Sequence, residues 1–301
     1  MSTTPLPNST KPLLLAGMTV ILWSTGFVFT RIAVTYLSSY SVGLLRYFSA
    51  SVVLILIGFY KKIGLPRWKD IPLFVVLGAL GFSLYQILFN IAMTSITAAT
   101  ASVVMATVPV IAALFASIIF KEKLNSIGWI AVAIEFSGIL LLTLWHREVS
   151  LGWGLVWMFA AALSFAAYNL IQRFSTKNYT PLQSTVYSIV ASTILLLPFA
   201  SLTLKELAQA PWQPIVAVVF MGIFPSAIGF MLWSQALSTA KQLGDVTNFM
   251  FLTPLLSTLL EIIMIGDFPD PGTLWGGVTI LLGVALFNNR HRIFRPLKLY
   301  N

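Results

Sequence analysis

The residues of this chain that could do chemistry are polar groups set inside long apolar runs. Phe82, Gln86 and Asn90 recur every fourth residue and share one helical face, with Tyr85 and Phe89 alongside. An amide surrounded by hydrocarbon must find a partner, and a solute's amino or carboxylate group would serve. A bond to a neighbouring helix would serve too, contributing about 0.6 kcal/mol. Trp23, Phe27 and Arg31 share a face by the same spacing. An aromatic wall leading to a cation suits an amphipathic anion such as an amino-acid carboxylate, although Arg31 could equally extend its head to the membrane interface. Ser164, Tyr168 and Gln172, with Asn169 beside them, form an equivalent strip. Binding and packing both remain open for it.

Three further ionisable groups fall within apolar runs. Arg46 and Glu261 lie at nearly equal depth, about 7 Å from the same end at 1.5 Å per residue. Opposite sign at equal depth permits an ion pair, and each could instead reach the interface alone. Glu135, midway along its run, has no cation at its level; a carboxyl there would be neutral and could donate a hydrogen bond. Pro109, Pro225 and Pro254 interrupt the middle of apolar runs. A proline removes a backbone donor and frees a carbonyl, so each is a candidate hinge or a kink accepted for packing.

Catalysis finds no matching parts. The chain has no cysteine, and its two histidines, His146 and His291, fall at run ends. That leaves no thiolate chemistry and no i, i+4 histidine pair for a metal. Asp245, Asp267 and Asp270 sit at run ends, so no pair of membrane-embedded aspartates is available for a protease. An enzyme, a metal and a cofactor are therefore not expected.

These side chains need elements to hold them, and composition says which kind. Only 9% of the residues are charged and 58% are hydrophobic, with a mean hydropathy of +0.90. Soluble domains carry roughly 25% charged residues. A chain of this kind uses lipid as its solvent. Roughly 20 apolar residues cross a core of about 30 Å, and breaking the sequence at charges and turn residues leaves ten such runs: approximately 12–31, 41–60, 71–93, 98–119, 126–145, 152–172, 182–200, 214–236, 245–265 and 273–289. The first is read as a membrane helix and not a removed signal peptide, because no small-residue cleavage site follows it.

The net charge of +9 falls in short clusters between runs. That pattern suits a membrane protein and not nucleic-acid binding. With both termini placed in the cytoplasm, 14 of the 18 Lys and Arg lie inside, and only Arg31, Arg147 and Lys205 lie outside, with Arg46 in a helix. The chain also repeats. Trp23-Ser24 aligns with Leu163-Ser164 at an offset of 140, which brings Ser41 onto Pro181. Gly78 falls on Gly222 at 144, and Pro109 on Pro254, Glu122 on Asp267 and Gly138 on Gly283 at 145. Five runs per half is an odd number, so the halves would enter the membrane from opposite sides, as in secondary transporters. Chance matching of glycine-rich apolar sequence is the competing explanation. The expectation is an all-α integral membrane protein of ten transmembrane helices in two inverted five-helix repeats, 12–146 and 151–289.

Several stretches resemble the ten-helix permeases of the drug/metabolite transporter superfamily, EamA type. Trp23-Ser24-Thr25-Gly26-Phe27 followed by Arg31, and Leu45-Arg46-Tyr47-Phe48, are similar to the family's first two helices. Thr100 to Glu122, with Ala101-Ser102, Pro109 and Lys121-Glu122, resembles its fourth, and Gly128 to Gly138 its fifth. The second half departs: Asp267 replaces a Glu, and Ser41 stands where the family usually has the Pro seen here as Pro181. The resemblance implies export or exchange of amino acids, related metabolites or drugs across a bacterial-type inner membrane. The expected partners are a small-molecule substrate and the lipid bilayer, with a proton or another ion as candidate coupling partner and no nucleic acid. A channel, or a structural or receptor membrane protein, is the alternative of the same composition; no charge ring or carbonyl filter motif supports the channel.

Overall fold

Apolar runs bounded by caps become helices here. The computed structural model describes residues 11–108, 110–111, 114–115, 126–145, 152–175, 178–239 and 248–293. Among the described residues every regular element is helical: α1 (Lys11–Ala33), α2 (Ser39–Tyr60), α3 (Ile71–Gly78), α4 (Leu84–Met93), α5 (Ala98–Met105), α6 (Ser126–Leu144), α7 (Trp153–Ser175), α8 (Pro181–Leu196), α9 (Ala200–Gln209), α10 (Trp212–Met221), α11 (Phe230–Thr239), α12 (Leu252–Met264) and α13 (Pro271–Ile293). Short polar residues fix three of the starts. Ser38, Thr97 and Thr180 each accept a hydrogen bond from a backbone N–H of the first turn they cap, in α2, α5 and α8. Thr180 completes a capping box with Gln183, and Pro181 takes the first helical position, where its missing N–H loses nothing.

Six helical stretches among the described residues are long and apolar enough to cross a membrane, and three more apolar helices are shorter. Their outer faces are apolar: Leu14, Leu56, Leu255 and Leu282 are all exposed. A water-soluble surface rarely tolerates apolar patches on that scale. Trp68, Trp129, Trp145, Trp153, Trp212 and Trp275 are exposed near helix ends, where indole rings favour the membrane interface.

Two helical spans widen in the middle. The turn Ala79–Ser83 joins α3 to α4, and Gly222–Gly229 joins α10 to α11, both with the wider π-type hydrogen bonding. Each follows a glycine that permits close approach. A Cβ at Gly78 would lie 2.7 Å from Ser188 O and 2.9 Å from Ser192 N on α8. One at Gly222 would meet Arg46 O and stand 2.7 Å from Ser49 Cβ on α2. The crossing of α6 and α13 is built the same way, with Gly138 against Ile280 and Gly276 and Gly283 against Glu135 and Ala131. Beyond these, α1 packs on α11 and α12, α4 on α7, α2 on α8, and α5 on α12.

Contacts near helix ends join distant segments. The Tyr179 hydroxyl donates to Asp70 Oδ2 at 2.6 Å and accepts from Arg67 N at 3.0 Å. Ser38 N donates to Glu206 at 2.8 Å, and the Thr100 and Thr273 hydroxyls meet at 2.8 Å.

Two expectations change. Residues 200–209 form α9, a helix outside the ten apolar runs, because Lys205 and Glu206 lower its hydropathy without disfavouring helix. Pro254 does not break the middle of a helix. It sits in the first turn of α12, after the 3-10 turn Asn248–Phe251, where a missing N–H removes no intrahelical bond. Pro225 lies within the wide turn Gly222–Gly229, and Pro109 is outside the described residues.

Candidate functional site

A cavity among α1, α2, α4, α5, α7, α11 and α12 leaves about 80 Å³ for the centres of water-sized molecules. One water needs roughly 10–15 Å³ on that measure, so the space holds several. Its wall is aromatic. Phe27 meets Phe89 with ring centroids 5.4 Å apart, Tyr85 meets Phe165 at 5.0 Å, and Trp23 meets Phe230 at 5.2 Å. Among the described residues, the one charged residue lining it is Arg46.

Packing fixes where Arg46 points. Its Nε donates to Ser226 Oγ at 2.8 Å, and Ser226 is wholly buried in the wide turn before α11. Its Nη1 lies 4.0 Å from the Met221 sulfur, and its guanidinium carbon stands 6.0 Å from the Tyr47 ring centroid. Nη2 faces the glycine surface of α1, 3.7 Å from where a Gly26 Cβ would be. Among the described residues no carboxylate comes within 4.0 Å of it.

The wide turn serves the site a second time. Trp23 Nε1 donates to Pro225 O at 3.1 Å, which aims the indole along the cavity wall. In the other half, Ser164 Oγ donates to Leu80 O at 2.7 Å, again in a wide turn. Wide turns leave carbonyls off the usual ladder, and a donor on a neighbouring helix satisfies each of these two.

The candidate residues separate into groups. Trp23, Phe27 and Tyr85 line the cavity. Phe82 and Tyr168 form the layer behind, with rings 5.3 Å apart. Gln86 and Asn90 are fully buried and committed elsewhere: Tyr47 donates to Gln86 at 3.0 Å, Gln86 to Asn90 at 2.6 Å, and Asn90 to Ser39 O at 2.8 Å. This chain ties α4 to α2 and holds Tyr47 beside Arg46. Asn169 is half-buried and does not line the cavity.

Arg31 does not line the cavity and lies in the last turn of α1. It donates to Ile96 O and to Asp267 Oδ2, the latter at 3.3 Å, and its Nε is 3.6 Å from Glu261 Oε1. The Glu261 carboxylate, 2% exposed, accepts from Ala98 N at 2.7 Å and Ala99 N at 2.8 Å. A carboxylate on the first N–H groups of a helix meets the positive end of its dipole. So Glu261 pairs with Arg31 and caps α5; the pairing with Arg46 that equal depth permitted is not formed. Depth is legible along a helix, but the direction each residue faces around it decided the partner. Glu135 is buried at the α6–α13 crossing, and its Oε1 has no hydrogen-bond partner among the described residues.

Sequence reasoning passed over Ser102, Met105, Phe165, Phe230 and Thr253 as lining residues, and treated Arg46 as a partner for Glu261. Tyr85 and Phe89, which lie alongside the face of Phe82, Gln86 and Asn90, line the cavity.

Comparisons with known proteins agree on a class. A model of the EamA-like transporter family matches residues 10–144 and again 152–289. The chain is 29% identical over 276 residues to a probable terminal-alkyne amino-acid exporter of Streptantibioticus cattleyicolor, covering 91% of this chain and 92% of that one. It is 27% identical over 278 residues to the uncharacterized transporter YdfC of Bacillus subtilis, covering 91% and 90%. One solved crystal structure superposes with a TM-score of 0.64 at 20% identity, covering 96% of this chain and 100% of that one, a likeness of fold.

Proposed function

The chain belongs to the EamA-like transporter family, and from that premise we propose that it is a secondary transporter, an exporter or exchanger, of small metabolites such as amino acids or related compounds. It works by alternating access between two inverted five-helix halves, over ten crossings of an inner membrane, with both termini cytoplasmic. The observation that carries the reading is the aromatic cavity around Arg46, lined by α1, α2 and α4 from the first half and by Phe165, Phe230 and Thr253 from the second. A site between halves is the location expected of an inverted-repeat carrier.

Paired contacts support the inverted halves. Gly78 seats on α8 against Ser188 and Ser192, and Gly222 seats on α2 against Arg46 and Ala50. The contacted residues are 142 apart in both cases, as are the helix-capping residues Ser38 and Thr180. Loop contacts support ten crossings, since each joins segments that an alternating path brings to the same end. The excess of Lys and Arg between runs supports cytoplasmic termini.

Counterflow tests the proposal. Proteoliposomes preloaded with each of a panel of unlabelled amino acids, N-acyl amino acids and aryl or alkyl carboxylates should accumulate the labelled compound transiently when it is the substrate. A channel gives simple equilibration, and flux without transient accumulation for any compound would remove the carrier reading.

A further inference from the structure

We propose that the cavity recognises an amphipathic monoanion, with its carboxylate on Arg46 and its apolar body against the aromatic wall, in preference to a zwitterion or a cation of the same shape. This deepens the transport reading and rests on it.

Arg46 is a charge without a counter-charge among the described residues. A guanidinium inside a membrane is unfavourable unless it meets an acid, water or a ligand. Arg31, the other arginine drawn into the bundle, meets two carboxylates. Arg46 meets a serine hydroxyl and a methionine sulfur, and among the described residues no carboxylate. Its Nε is held by buried Ser226 and its Nη1 by the Met221 sulfur, so the guanidinium is fixed, and Nη2, beside Gly26 of the cavity wall, keeps donors for a ligand. A planar fork of that kind matches a carboxylate, and Lys would match it less well.

The remaining wall decides the other end of the solute. Phe27, Tyr85, Phe89, Phe165 and Phe230 offer ring faces and edges, which suit an aromatic or aliphatic body. Among the described residues the wall lacks a second charge, and no carboxylate lines the cavity. An α-ammonium group would enter beside the guanidinium and be repelled by it. Among the described residues, hydroxyls of Ser102, Thr253 and Tyr85 and the ring faces would compensate it. A neutral body places no such demand. An amino acid whose amine is acylated, or a simple aryl or alkyl carboxylate, fits this chemistry better than the free amino acid.

The test is isothermal titration of the purified full chain in detergent with four probes of one body: 3-phenylpropionate, L-phenylalanine, 2-phenylethylamine and 3-phenylpropanol. The acid is expected to bind at least tenfold more tightly than the amine and the zwitterion. Arg46→Gln should abolish that preference while leaving the alcohol within about threefold, and Arg46→Lys should retain part of it, which controls for misfolding. Equal or tighter binding of the amine or of phenylalanine, a preference that survives Arg46→Gln, or no binding of the acid overturns the assignment. Counterflow by the wild-type protein would stand through any of these results, whereas acid-selective binding without counterflow would remove the transport reading and leave a binding site.

Discussion

Arg31 and Arg46 both reach into the bundle, and their surroundings differ in one respect, the presence of an acid. Arg31 contacts the Glu261 and Asp267 carboxylates and a backbone carbonyl at the ends of α1, α5 and α12. Arg46 faces an aromatic cavity with its orientation fixed by Ser226 and with no acid beside it among the described residues. The first has its charge satisfied by the protein and therefore fastens helices. The second is held in place without a counter-charge among the described residues, which is why we propose it as the anchor of a ligand. A cation in a membrane sequence is thus informative only once its partners are known.

The contrast can be broken most severely at Glu261. Glu261→Ala removes two bonds to the start of α5 and half the surroundings of Arg31, and should destabilise the protein by about 3 kcal/mol. Urea or thermal unfolding in detergent measures it; a loss under about 1 kcal/mol would mean that this end is not fastened there. Next come the glycine seats. Gly78→Val and Gly222→Val push a side chain into backbone on opposite halves, and each should cost about 2 kcal/mol. Similar losses for the two would support equivalent seats, whereas one tolerated and one severe would argue against the symmetry. Asp267 is 47% exposed, so Asp267→Asn should cost less than about 1 kcal/mol, in line with exposed ion pairs. The smallest effect on stability is expected from single cysteines at the exposed positions Leu65 and Ala208, in a chain with no native cysteine. In whole cells an impermeant thiol reagent should label the cysteine at 208 and spare the one at 65; the reverse would invert the orientation.

The spans were the most legible part of the fold, because a membrane crossing demands an uninterrupted apolar run and little else. α9 was not legible as a helix, since Lys205 and Glu206 end the apolar run while leaving good helix formers. The wide turns after Gly78 and Gly222 leave no mark in hydropathy, although the aligned glycines stood beside them. At the site, the shared face of Phe82, Gln86 and Asn90 was readable and its purpose was not. The amides face α2 and satisfy each other and Tyr47, whereas Tyr85 and Phe89, offset around the same helix, face the cavity. Depth likewise put Arg46 level with Glu261, but α12 turns Glu261 toward α5 and Arg31. Sequence gives position along a helix; which neighbour a side chain meets depends on how the helices are rotated and packed.

The division between the two arginines is tested most directly by measuring Arg46→Gln and Arg31→Gln together, for unfolding stability and for counterflow per folded protein. The account predicts that Arg46→Gln lowers flux at least tenfold, as expected from loss of a charge-assisted bond of about 1.5–3 kcal/mol, with stability changed by less than about 1 kcal/mol. Arg31→Gln should lower stability by about 2 kcal/mol, and the protein that remains folded should transport within about twofold of the unsubstituted chain. Undiminished flux in Arg46→Gln, or a loss of flux confined to Arg31→Gln, would contradict it.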